Sequence, residues 1–217
     1  MPGCGHGIVL WCLLRAAHAP EIHQDRRVVV AGIGCSSRLA GYVDACTLHT
    51  THGRALAFAT GLKLARPELA VVLLTGDGDG LSIGGGHLIP STRRNVGIAC
   101  IRFNSAVYGM TGGQVAPTTQ AGWPASTAPT DTWSRPLTGA RWCRGEAPSR
   151  PGAGRMTPLE SGGNAEGSLR HEGFSYVEVL TDCPVYFRRY NRLGESADLL
   201  WSQKARFTEV GSVLAHK

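Results

Sequence analysis

Apolar residues along this chain fall in short dense runs, and glycine-rich or polar stretches separate them. Residues 27–33, 69–75 and 96–103 each read as a strand buried on both faces, because a parallel sheet covered by helices leaves no polar face to alternate with. Residues 34–37 (Gly-Cys-Ser-Ser) turn away from the end of the first run. Residues 53–66 predict a helix from their composition and from the apolar positions Leu56, Phe58, Leu62 and Leu64, and Pro67 closes it. Residues 7–14 form an apolar helix or strand. A last strand is expected over 171–180, and a short amphipathic helix over 195–204. Strand and helix alternate, and each strand hands over to a glycine-rich or polar loop. That is the pattern of an open parallel sheet with its site at the strand carboxyl ends.

Residues 119–169 break the pattern. They contain no Val, Ile, Phe, Tyr, His or Lys, yet hold Trp123, Trp133 and Trp142 among many Pro, Gly and Arg. Such a stretch offers no periodic apolar face, so it is expected to be irregular and to stay off the sheet. It is either a natural disordered insertion or the product of a coding frame lost and regained; three tryptophans fit the second reading better, since disordered segments are poor in aromatics.

The length of 217 residues suits one α/β domain, residues 1–217. The formal charge of +6 arises from 22 Lys+Arg against 16 Asp+Glu. The basic residues are scattered, which argues against a nucleic-acid footprint and suits an acidic protein partner only weakly. The 7–14 run is too short to span a bilayer and no basic region precedes it, so neither a membrane segment nor a signal peptide is expected and the cytoplasm is the expected compartment. Seven cysteines without an export signal point to thiols or metal ligands rather than disulfides.

Gly76-Asp77-Gly78-Asp79-Gly80 follows an apolar strand, and Asn104-Ser105 stands one helix and one strand later. Glycine exposes backbone N–H groups to a diphosphate, and a carboxylate such as that of Asp77 suits a hard cation such as Mg²⁺. A calcium loop shares Asp-x-Asp-Gly, but the closing Glu is missing and a strand precedes it. Gly32-x-Gly34 imitates a dinucleotide fingerprint without its third glycine or its acidic ribose partner.

The stretch GDGDGLSIGGGHLI, continuing to NSAVYGMTGGQ, resembles the thiamine-diphosphate motif of 2-oxoacid:ferredoxin oxidoreductase beta subunits. PGCGHG, GIGCSSRLAGY and HGRALAFATG precede it in the family's order, and GFSYVEVLTDCPVYFRRYNRLGE rejoins it, with the tract between left unmatched. The resemblance implies an α/β fold with an open, mainly parallel sheet of the thiamine-diphosphate-binding type and an irregular middle segment. It implies oxidative decarboxylation of a 2-oxoacid, 2-oxoglutarate or pyruvate, to an acyl-coenzyme A. Electrons would pass through a four-iron four-sulfur cluster to ferredoxin, and an alpha or fused gamma/alpha subunit would complete the enzyme. Carried over residue by residue, Cys4, Cys35 and Cys183 become cluster ligands, with Met1 at the fourth position. Asp77, Ser105 and the carbonyl of Val107 become the Mg²⁺ set, with Ser105 standing where the family has a second asparagine. Gly76, Gly78, Asp79, Thr111, Ser36 and Ser37 become cofactor contacts. Arg38 becomes the contact to a substrate carboxylate, and His52 a pocket residue or else a cap on the following helix. Cys12, Cys46, Cys100 and Cys143 read as structural thiols. The rival functions are an inactive remnant of such a subunit and a non-oxidative thiamine enzyme, which has no use for Cys4, Cys35 and Cys183.

Overall fold

A computed structural model describes residues 3–17, 22–132, 135–137, 139, 143, 152–156 and 161–206, with the backbone alone for 152–156, 161–164 and 204–206. Six parallel strands form one sheet: β1 (Arg27–Ala31), β2 (Cys46–His49), β3 (Ala70–Thr75), β4 (Ile98–Asn104), β7 (Gly152–Met156) and β8 (Ser175–Leu180). Their order is β2-β1-β3-β4-β8-β7. A two-residue-strand hairpin, β5 (Val107–Tyr108) with β6 (Gln114–Val115), rises from the end of β4. Among the described residues no helix is long and apolar enough to cross a membrane.

Helices α1 (His6–Ala17), α2 (Ala55–Ala65), α3 (Gly85–Arg94), α4 (Ser161–Arg170) and α5 (Ser196–Arg206) complete the architecture. Side chains alternate along each strand, so the sheet feeds two cores. Val30, Leu73, Cys100 and Tyr176 stand in register across four strands and pack with Leu56 and Ala59 of α2 and Leu88 of α3. Their sequence neighbours Ala31, Leu74, Ile101 and Val177 meet Val9 and Leu13 of α1 and Ala165 of α4 on the opposite face. The 7–14 run therefore resolves as helix: Val9, Cys12, Leu13 and Ala16 bury one stripe at helical spacing.

The expectation for residues 119–169 is corrected in part. Residues 119–132 run without regular helix or strand, but β7 pairs with β8 from Gly152↔Ser175 to Met156↔Val179, and α4 follows it. A helix-and-strand unit thus belongs to the sheet. An edge strand needs only backbone partners, which β8 supplies. The small residues of α4 allow close approach: Ala165 and Ser168 are buried, and Ser168 Oγ lies 2.6 Å from Ser175 Oγ on β8. Neither feature leaves an apolar period in the sequence. The irregular part is also well packed: Ala125 is fully buried, Trp123 stacks on Phe187, and Cys143 joins the core under α3. Trp133, Trp142 and Met1 lie outside the described residues.

Candidate functional site

The sheet reverses its winding direction between β1, whose next strand lies to one side, and β3, which lies to the other. Loops leaving neighbouring strands at such a switch point part and open a crevice at the carboxyl ends. Here that crevice is a cleft of about 390 Å³. Cys35 and Ser36 after β1, Gly76 to Asp79 after β3, and Ser105, Val107 and Thr111 after β4 line it, together with His52. Ser37 and Arg38 do not: Ser37 is buried outside the lining, and Arg38 is exposed outside the cleft.

Asp77 is the centre of the floor. Its Oδ1 accepts hydrogen bonds from Arg102 Nη1 at 2.6 Å and Thr118 Oγ1 at 2.9 Å. Its Oδ2 turns the other way, toward the Ser105 amide at 2.8 Å and the Ser105 hydroxyl at 3.2 Å. That hydroxyl is also 3.3 Å from the Val107 carbonyl. One hydroxyl proton cannot serve both acceptors, so three oxygens with a surplus of lone pairs face one another, a donor set that suits a hard cation. Burial pushes the Asp77 carboxyl above the usual range, and Arg102, the Ser105 amide and Thr118 pull against that.

The turn carrying Ser105 is held under strain. Ala106 has φ 59°, in the left-handed region that disfavours a Cβ. Asn104 Oδ1 accepts the Ala106 amide at 3.1 Å, and Thr119 Oγ1 donates to the Ala106 carbonyl at 2.5 Å. Asn104 meanwhile donates through Nδ2 to Glu178 at 2.8 Å, so its side chain faces the sheet while Ser105 faces Asp77.

Asp79 lines the cleft but is occupied. Its Oδ1 accepts from the amides of Ile33 (3.1 Å) and Gly53 (2.7 Å) and meets His52 Nδ1 at 3.0 Å, while its Oδ2 accepts from Thr75 Oγ1 at 2.7 Å. It ties three loops of the site together. His52 does not cap α2, whose N-cap position is Arg54. With Nδ1 committed to Asp79, its Nε2 remains for the cleft.

Cys35 and Cys183 approach one point. A Cβ placed on Gly109 would stand 3.1 Å from Cys183 Sγ and 4.0 Å from Cys35 Sγ. On Gly3, beside Cys4, it would meet Ser196 Oγ at 2.5 Å and Pro184, the neighbour of Cys183, at 3.9 Å. The Cys35 thiol is pushed up first by burial and then by the nearby Cys183 and Cys4 sulfurs. Among the described residues no three His, Cys, Asp or Glu side chains could hold a single metal ion. A cuboidal cluster spreads its thiolates over several irons and asks for a wider arrangement. Thr111 sits at the rim, its hydroxyl 2.7 Å from Gln114 Oε1.

Several residues of the site escape a reading by motif. Arg102, fully buried, donates Nε to the Tyr176 hydroxyl at 2.6 Å and meets Glu178 Oε1 through Nη2 at 2.8 Å, besides holding Asp77. Burial opposes its charge, but Tyr176, Glu178 and Asp77 outweigh that and raise its pKa. A charge inside the apolar strand IACIRFN and another inside SYVEVL were the available signals, because a buried ion needs a partner. Strand register makes them one: Arg102 stands opposite Glu178. His6 lines the cleft, stacks on Phe103 at 4.9 Å, and is pushed down to about 4, first by burial.

Residues 32–145 match the family model for the C-terminal thiamine pyrophosphate-binding domain of thiamine pyrophosphate enzymes, a match that runs into the tract set apart above. The 2-oxoglutarate synthase subunit KorB of Methanothermobacter marburgensis is 43% identical over 201 residues, covering 91% of this chain and 70% of that one. The subunit of the same name from Archaeoglobus fulgidus is 44% identical over 208 residues, covering 94% and 75%. A solved structure, the 2-oxoglutarate:ferredoxin oxidoreductase of Magnetococcus marinus with 2-oxoglutarate, coenzyme A and succinyl-CoA bound, superposes with a TM-score of 0.83 at 36% identity, covering 88% of this chain and 66% of that one. The sheet order, the site at its switch point and these likenesses together place the chain in the family of 2-oxoacid:ferredoxin oxidoreductase beta subunits.

Proposed function

We propose that the chain, working in the cytoplasm with an alpha or gamma/alpha subunit, carries out the oxidative decarboxylation of 2-oxoglutarate, or pyruvate, to the acyl-coenzyme A, with ferredoxin as electron acceptor. The observation that carries this reading is one cleft with two chemistries. The oxygens of Asp77, Ser105 and Val107 gather on its floor, and the sulfurs of Cys35 and Cys183 gather behind Gly109 in its wall. A non-oxidative thiamine enzyme gives no role to the second.

The residues fit the implied groups. Ser36 Oγ, in the cleft lining, is buried without a hydrogen-bond partner among the described residues, a polar atom left over for a ligand, and Gly76 approaches it so closely that a Cβ there would stand 3.1 Å away. Gly76 and Gly78 leave the backbone accessible to a diphosphate. Asp77, Ser105 and the Val107 carbonyl would hold Mg²⁺, with water completing its shell. Cys4, Cys35 and Cys183 would give three thiolates to the four-iron four-sulfur cluster. When bound, thiamine diphosphate supplies the electron sink for loss of carbon dioxide. Asp79 fixes the loops around the cleft and orients His52, which presents Nε2 for proton handling or substrate contact. Arg38 lies exposed outside the cleft lining.

Anaerobic purification of the chain with its partner subunit tests this. Iron and sulfide should co-purify, and ferredoxin should be reduced only when 2-oxoacid, coenzyme A, Mg²⁺ and thiamine diphosphate are all present. Thiamine-dependent decarboxylation without iron, and without any dependence on ferredoxin, would replace this reading with the non-oxidative one.

A further inference from the structure

The turn from Ser105 to Gly109 touches both chemistries. Its first part offers Ser105 Oγ and the Val107 carbonyl to the Asp77 side. Its last residue, Gly109, carries no side chain, and the vacant Cβ position is 3.1 Å from Cys183 Sγ and 4.0 Å from Cys35 Sγ. Carbon contacts are optimal at about 3.5–4.0 Å, and sulfur is larger than carbon, so a methyl group there would overlap Cys183. Gly109 does not owe its place to conformation. Gly112 and Gly113 in the same loop have φ 116° and 84°, whereas Gly109 is absent from the positive-φ residues. Space is the reason.

The backbone is held on both sides of this contact. The Cys183 carbonyl accepts the amides of Phe187 and Arg188 at 3.1 and 3.0 Å, and Arg188 Nε reaches back to Asp182 at 3.2 Å. On the other side the Tyr108 ring lies 3.1 Å from the vacant Cβ position of Gly78, which keeps the turn seated on the cleft floor. We infer that Gly109 is a positioning residue whose missing side chain lets the metal-binding turn rest directly on Cys35 and Cys183, fixing how closely the cluster stands to the cofactor cleft. The inference rests on the cluster reading above. It matters because electron transfer weakens steeply with distance and because groups packed on cluster sulfurs tune potential and lability.

The test is Gly109→Ala in the full chain with its partner subunit. Bleaching of the cluster by an iron chelator should speed up about tenfold, the scale of losing a supporting contact. The cluster potential should shift as well. Unchanged bleaching and an unchanged potential overturn the inference. A parent without iron and sulfide overturns the cluster reading itself, and this with it. A second measurement guards against a variant that folds poorly: Gly109→Ala should lower the melting temperature of the metal-free chain, and should not do so in a Cys183→Ala background, where the sulfur is gone. An equal loss in both backgrounds also overturns the inference.

Discussion

Arg102 and Asp77 meet inside the protein at 2.6 Å, Nη1 to Oδ1, with the arginine side chain fully shielded and the aspartate nearly so. Together with Thr118 this contact fills one carboxylate oxygen and leaves the other turned toward Ser105. Two buried carboxylates, Asp77 and Glu178, share this one cation.

Arg102→Met should therefore lower the unfolding free energy by about 3–5 kcal/mol, the effect of stranding buried charge. Urea denaturation reads it. The double variant Arg102→Met/Glu178→Gln, which removes one charge of each sign, should lose less than the single variant. A single variant within about 1 kcal/mol of the parent would assign the pair no more weight than a surface ion pair.

Ser105→Asn should tighten Mg²⁺-dependent thiamine diphosphate binding by about 1–2 kcal/mol, the scale of a hydrogen bond to a charged group, because the longer side chain carries an oxygen further toward a cation between the Asp77 and Val107 oxygens. Asp77→Ala should abolish the binding. Calorimetric titration of the parent and both variants decides it: equal affinity for the parent and Ser105→Asn removes that position from the metal set, and undiminished binding by Asp77→Ala removes the thiamine site from this cleft.

Thr119 fastens the strained turn at Ala106 by accepting the Ala116 amide at 2.8 Å while donating to the Ala106 carbonyl. Thr119→Val strands both backbone groups and should cost about 1–3 kcal/mol, whereas Thr119→Ser, which keeps the hydroxyl, should cost less than about 1. Thermal melts of the two variants compare them. Equal losses would trace the effect to the methyl group instead.

Cysteine labelling should divide by burial. Cys46 is exposed on the edge strand β2, whereas Cys100 and Cys143 are buried. Burial pushes the Cys143 thiol up to about 11 and the Cys100 thiol higher still. At pH 8 only on the order of one Cys143 in a thousand is thiolate. Brief iodoacetamide treatment of the native chain followed by peptide mass spectrometry should mark Cys46 and spare the other two. Early labelling of Cys143 would mean that its part of the tract opens readily.

The central strands, the helices after them and the cofactor motifs were legible because each is local. A run such as Val-Val-Val-Ala can only be a buried strand here, and a glycine-rich turn after it advertises an accessible backbone. The edge strands β2 and β7 were not legible. The residues of β2 are mostly exposed, and β7 is held by the backbone of β8, so neither needs an apolar pattern. The same reason accounts for α4, whose small residues carry little hydrophobic signal but pack closely.

The sequence by itself determined which groups are available to the site: carboxylate and hydroxyl oxygens, glycine-exposed backbone and thiols, in the order of a known family. Only the tertiary structure decided how they are used. Parallel register set Arg102 opposite Glu178 and beside Asp77, so a strand that reads as mostly apolar filling holds the charge that orients the Asp77 carboxylate. The fold also made Asp79 the fastening of three loops, left Arg38 outside the cleft, and brought Gly109 against two sulfurs distant in sequence. Spacing along a chain fixes which residue types are available. Contact between residues dozens of positions apart depends on strand order and register, which no local pattern encodes.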